Sequence, residues 1–197
     1  VATLTEAMKL APSAELGMSL AGAQLRVRDA SAAEKSLDDW LAEHPDDVAL
    51  RYMLANVYLR SGREELAADS LRKVLDQSPD HVAALNDLAW LTRKSAPDKA
   101  LAHAERALEL APDSPAVMDT AGMLLLEAGQ RGRAMDLLEK AARQAPENRN
   151  TVFHYALALS RSGQEEKAAE VLRKLLSESK GFAERADAEQ LLRSLGG

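Results

Sequence analysis

The chain has 197 residues, with 25 Lys and Arg against 31 Asp and Glu, a net charge of −6 and no cysteine. Its 46% hydrophobic and 28% charged residues fit a folded protein and not a disordered tail. The acidic balance argues against tracking nucleic-acid phosphates, and the lack of thiols excludes disulfides, thiolate metal sites and a cysteine nucleophile. No apolar run approaches the ~18 residues of a bilayer-crossing helix, and only 4% of residues are aromatic, which favours helices packed on small residues over β-sheet.

In chain order, residues 1–13 come first. Glu6-Ala7-Met8-Lys9-Leu10-Ala11-Pro12 reads against Arg106-Ala107-Leu108-Glu109-Leu110-Ala111-Pro112 at an offset of 100, so this segment is expected to be the second helix of an upstream unit, left as a remnant in a fragment of a longer array. Five units then follow, at 14–47, 48–81, 82–114, 115–148 and 149–181. Three residue series fix their register. Pro45, Pro79, Pro112 and Pro146 are 34, 33 and 34 apart, each followed by an acid. Leu20, Leu54, Leu88, Ala121 and Tyr155, each followed by Ala or Gly, repeat at 34, 34, 33 and 34; Ala33, Ala67, Ala100, Ala134 and Ala168 repeat at 34, 33, 34 and 34. The missing residue therefore lies in the turn Thr92 to Asp98, outside the helices.

Each unit reads as two amphipathic helices of about 12 to 14 residues, for example Val48 to Arg60 and Glu64 to Gln77. Gly62, Gly129 and Gly163 stand at the turn between them, where a positive φ ends the first helix. The third unit uses Ser95-Ala96-Pro97, with Pro97 suited to a helix start, and the first offers Arg28-Asp29, a weaker stop. The segment 182–197 carries Phe182, Ala186, Leu191, Leu192 and Leu195 among charges, which predicts a helix capping the last hairpin.

A 34-residue helical hairpin with small residues at its eighth and twentieth positions and Pro near its thirty-second resembles the tetratricopeptide repeat. The resemblance covers about residues 14 to 180 and implies an all-α fold, a right-handed α-solenoid of about five hairpins with a C-terminal capping helix. The tryptophan usual near the fourth position is replaced by Gly17, Arg51, Leu85, Met118 and Val152. A narrower resemblance rests on Leu85-Asn86-Asp87-Leu88-Ala89-Trp90-Leu91, Ala104-Glu105-Arg106-Ala107-Leu108, Asp119-Thr120-Ala121-Gly122 and Phe182-Ala183-Glu184-Arg185-Ala186-Asp187-Ala188-Glu189. These runs look like the C-terminal region of bacterial exported tetratricopeptide lipoproteins of the PEP-CTERM and exosortase systems. That likeness implies a periplasmic or cell-envelope location, with cytoplasmic as the alternative, and a scaffold role in exopolysaccharide biosynthesis or secretion.

Nothing in the sequence nominates catalysis. The ten glycines form neither GxxxxGK nor GxGxxG, and His44, His81, His103 and His154 fall in different units without HExxH spacing. No enzyme activity, cofactor or metal is expected, and the histidines read as solvated or partly packed. The basic pairs Arg26 with Arg28 and Arg131 with Arg133 sit between acids as solvated faces, so no nucleic acid or membrane insertion is expected.

By family analogy, positions two, five, nine and twelve of each first helix line a concave groove. Its candidate partner-binding residues are Met18, Tyr52, Asn56, Asn86, Trp90, Arg93, Asp119, Met123, Phe153 and Leu157. Amides serve a peptide backbone, while Met and aromatic side chains supply adaptable apolar area. The expected partner is a protein or peptide with an apolar or helical segment. Positions five and nine carry no Lys or Arg, which argues against a carboxylate clamp. Tyr52 and Trp90 can alternatively pack between hairpins, with Trp40 on the convex side. Two other functions remain open: self-association of a longer array, and a carbohydrate groove using Tyr52, Trp90, Glu15 and Asp119.

Overall fold

A computed structural model of the protein describes residues 1–178 and 181–196. Residues 179, 180 and 197 lie outside that description, so the expected spans 149–181 and 182–197 are each described in part. Among the described residues there are twelve α-helices and no strand. They divide into two compact units, Val1–Leu91 and Thr92–Gly197.

The first unit holds α1 (Ala2–Leu10), α2 (Ala14–Arg26), α3 (Ala30–Glu43), α4 (Val48–Arg60), α5 (Glu64–Gln77) and α6 (Val82–Thr92), whose last residue falls just past the boundary. Neighbours in sequence pair as antiparallel hairpins, α2 with α3 and α4 with α5, and α2 also reaches α4 across the repeat. The core is built from the recurring small and branched positions. Ala21, Ala33, Leu37, Leu50, Leu54 and Val57 form one cluster, and Ala55, Ala68, Leu71, Val74, Ala84 and Leu88 a second. Alanine at 33 and 67 is fully buried, which lets the paired helices approach.

The second unit holds α7 (Pro97–Leu110), α8 (Pro115–Glu127), α9 (Arg131–Gln144), α10 (Arg149–Arg161), α11 (Glu165–Glu178) and α12 (Arg185–Ser194). Helix α8 is the most deeply set, with residues 120–126 all buried. Gly122 permits this, because a Cβ there would stand 2.6 Å from Leu138 Cγ on α9. The capping helix starts later than the apolar spacing suggests, at Arg185 rather than Phe182. Phe182 precedes the helix and still packs, with Leu191, Leu192 and Leu195, against Phe153, Leu172 and Leu175.

Local chemistry sets the helix ends. Ser13, Asp47 and Asn148 each accept a hydrogen bond from the backbone three residues on, at Leu16, Leu50 and Thr151, while His81 Nδ1 accepts from Ala84. These four starts keep the repeat register. At the turns, Gly62, Gly129 and Gly163 take φ of 70°, 77° and 77°, and Arg28 takes the same left-handed conformation at 62°. The backbone bonds match too: Asp29 N to Gln24 O, Arg63 N to Tyr58 O, Gln130 N to Leu125 O and Gln164 N to Leu159 O. Arginine therefore occupies a glycine conformation in the first hairpin, at a steric cost of roughly 1 kcal/mol.

Candidate functional site

The candidate groove residues lie on the first helices of the hairpins, α2, α4, α6, α8 and α10, apart from Arg93 in the turn after α6. Within the first unit, Tyr52 on α4 is joined to Asp87 on α6, with Asn56 and Asn86 bonded to these two residues. The Tyr52 hydroxyl donates to Asp87 Oδ2 at 2.9 Å, Asn86 Nδ2 donates to Asp87 Oδ1 at 3.3 Å, and Asn56 Nδ2 donates to the Tyr52 carbonyl at 2.9 Å. Burial first and the Asp87 carboxylate second push the Tyr52 phenol up to about 12, so it is a donor at any physiological pH. Its ring packs 4.8 Å from that of His81. Asn86 Oδ1 is buried without a hydrogen-bond partner among the described residues. Trp90 and Met18 are half-buried, Met18 against the α2–α5 core.

In the second unit, Asp119 on α8 faces His154 on α10. His154 Nδ1 lies 2.9 and 3.0 Å from the two Asp119 oxygens, and Nε2 lies 2.9 Å from Glu184 Oε2, just ahead of α12. The side chain is 4% exposed. Burial pushes the imidazole down, but the hydrogen bonds it donates to Asp119 and Glu184 outweigh that and raise the group to about 9. His154 is therefore a buried cation at neutral pH. The carboxylates reach opposite ring nitrogens, so they do not converge on a common ion; among the described residues no group of His, Asp and Glu is arranged to hold a metal.

These contacts obey one rule. Tyr52 to Asp87 and Asp119 to His154 are both 35 residues apart, joining position five of one unit to position six of the next. Met18 and Met53 hold the same two positions and pack against the same cluster. Position five thus looks toward the neighbouring first helix as much as toward open solvent. Phe153, at position five of the last unit, is 5% exposed beneath α12, and Met123 is 6% exposed; both are core residues, because α8 and α10 are covered by their neighbours. Asn56, Asn86, Trp90, Arg93 and Leu157 remain half-buried. Asp87, His154 and Glu184 were not among the expected site residues. The signal for them was the chemical match between positions five and six of successive units: Met with Met, Tyr with Asp, Asp with His.

The aromatic on the second helix, Trp40, is anchored: its Nε1 donates to Asp47 Oδ2 at 3.0 Å and its ring lies 4.0 Å from that of His44. No helix among the described residues is long and apolar enough to cross a membrane.

Comparison with known proteins places this geometry. The chain is 30% identical over 115 residues to cellulose synthase operon protein C of Pseudomonas fluorescens (strain SBW25), an alignment covering 57% of the chain and 9% of that protein. The chain thus spans under a tenth of the length of this relative. Similar solved structures include a tetratricopeptide repeat protein from Parabacteroides merdae, at TM-score 0.73 and 16% identity over 98% of this chain and 90% of that one. PilW, a type IV pilus biogenesis factor, aligns at TM-score 0.73 and 20% identity, over 92% and 89% of the two chains. YrrB, described as a tetratricopeptide protein with an unusual peptide-binding site, aligns at 0.70 and 21%, over 95% and 97%. These likenesses establish the α-solenoid fold class. Tetratricopeptide repeat family models match residues 18–81 and 52–115, and another matches 125–195. With its 34-residue register and paired helices, the chain belongs to the tetratricopeptide repeat family.

Proposed function

We propose that the protein is a noncatalytic interaction scaffold that holds a peptide or helical segment of a partner protein on its first-helix faces. Tetratricopeptide families are in general protein-interaction modules without catalysis. The observation that carries the reading is the cluster on α4 and α6. Asn56, Asn86 and Trp90 are half-buried, set beside a Tyr52–Asp87 bond that fixes the two helices. Amide side chains on such a face donate to and accept from the backbone of a bound segment, and the indole supplies apolar area beside them. The relative from a cellulose synthase operon supports a setting beside exopolysaccharide machinery, in keeping with the envelope location implied by the narrower sequence likeness.

The test combines Asn56→Ala, Asn86→Ala and Trp90→Ala. Affinity capture from the native cells with wild type and variant, read by mass spectrometry, is set beside thermal melting. Loss of polysaccharide-machinery proteins with a melting temperature close to wild type supports the reading. Undiminished capture, or a collapse of melting alone, overturns it in favour of packing between hairpins.

A further inference from the structure

A second surface lies in the last hairpins. The end of α9, the start of α10 and the second half of α11 enclose a cavity of about 250 Å³. Val152, Tyr155 and Val171 line it, and Arg143, Arg149 and Lys174 stand around them with a single lining acid, Glu178. At about 100° per residue, Val152 and Tyr155 lie roughly 150° around α10 from Phe153 and Leu157, so this surface is separate from the first-helix face discussed above.

The repeat register explains why the cavity opens here. The seventh position of the other units holds Leu20, Leu54, Leu88 and Ala121, all buried, whereas the fifth unit places Tyr155, only half-buried. Val152 is a small residue at the fourth position, where the preceding unit has the fully buried Met118. The cations differ from their counterparts as well. Lys140 closes on Asp113 at 2.8 Å, but Lys174, 34 residues later, forms no ion pair with Glu147 or with any other described residue, and neither does Arg143. Arg149 donates to the Pro146 carbonyl at 3.3 Å and to no described carboxylate. Three cations without carboxylate partners, on a chain of net charge −6, surround an apolar floor.

We propose that this cavity docks an acidic peptide segment, seating one large apolar side chain on Val152, Tyr155 and Val171 while flanking Asp and Glu residues pair with Arg143, Arg149 and Lys174. The cations around the apolar floor favour an acidic segment, whose carboxylates complement them. Carboxylates beside Arg gain charge-assisted hydrogen bonds, and the docked side chain loses its contact with water.

The test uses fluorescence anisotropy at low salt with the full chain and a fluorescein-labelled peptide, Gly-Asp-Glu-Asp-Phe-Glu-Asp-Glu-Gly. Saturable binding is expected. It weakens by about tenfold or more in the Arg143→Glu, Lys174→Glu double variant, when Ser replaces Phe in the peptide, and in Val152→Trp, which fills the floor, one lost charge-assisted pair or buried ring being of that order. Added salt weakens it further. Arg143 and Lys174 are exposed, and a circular-dichroism melt matching wild type verifies the fold of the double variant. Asn56→Ala with Asn86→Ala leaves this binding unchanged, which separates it from the first-helix reading. Absence of saturable binding, equal binding by the charge-reversed variant, loss in the Asn56 and Asn86 variant, or association with phosphatidylglycerol vesicles in place of the peptide overturns the proposal.

Discussion

His154 carries a large electrostatic commitment in the second unit. A buried imidazolium costs solvation that only close carboxylates can offset, and Asp119 and Glu184 meet both of its nitrogens. The group rises from 6.5 in the unfolded chain to about 9 in the fold. A raised value means the folded state binds the proton more tightly, so the stability contribution is fully present below pH 6.5 and disappears as pH rises through about 9. Its size is on the order of 3–4 kcal/mol. Urea unfolding followed from pH 6 to pH 10 should show that loss in wild type, and His154→Gln should flatten it; an equal slope in the variant would assign the pH dependence to other groups. At this scale the sequence was only partly legible. Asn56, Asn86 and Trp90 lie half-buried on the expected helices, but the partners Asp87, His154 and Glu184 depend on contacts 30 or more residues apart, which a single helix pattern does not carry.

Helices were the most legible level. Val48–Arg60 and Glu64–Gln77 fold over the very spans that periodicity predicts, because glycine turns and caps act locally. Two glycines on neighbouring helices separate propensity from packing. Gly132, near the start of α9, has nothing within 4 Å of an added Cβ, so Gly132→Ala should stabilise by ~0.5–1 kcal/mol through helix propensity alone. Gly122 sits mid-helix in α8, and its Cβ would meet Leu138 Cγ at 2.6 Å and Cδ2 at 3.0 Å. Leu138 is fully buried, and a close-packed interior resists its displacement. The same propensity gain of ~1 kcal/mol is then opposed by overpacking of ~1–3 kcal/mol, and Gly122→Ala should lower stability or at best leave it level. Chemical denaturation should give a stabilising shift for Gly132→Ala and a destabilising or null one for Gly122→Ala; stabilisation by both would mean that α9 yields freely. Sequence alone treats these glycines alike, since the distinction rests on which face of α8 meets α9.

Across the whole chain, the three residue series predict the number and phase of the hairpins, because a repeat array buries each unit's apolar face against the next. The apolar face of the α10–α11 hairpin is covered by α12. Ala188 is fully buried, and Phe153, Leu172 and Leu175 beneath are 5%, 0% and 2% exposed. The cover has an apolar part and an ionic part, and the two can be removed separately. Deleting residues 181–197 uncovers the cluster and removes Glu184 from His154 together, so the product should melt lower and associate with rising concentration. Glu184→Gln keeps the apolar cover and removes only the negative charge. That variant should remain as monodisperse as wild type in light scattering, melt lower at pH 7, and converge with wild type above pH 9, where His154 no longer holds its proton. If Glu184→Gln associates as readily as the truncation, the ion pair and not the apolar cover holds α12 in place. If the two melting curves stay apart above pH 9, Glu184 acts through a contact other than the imidazolium.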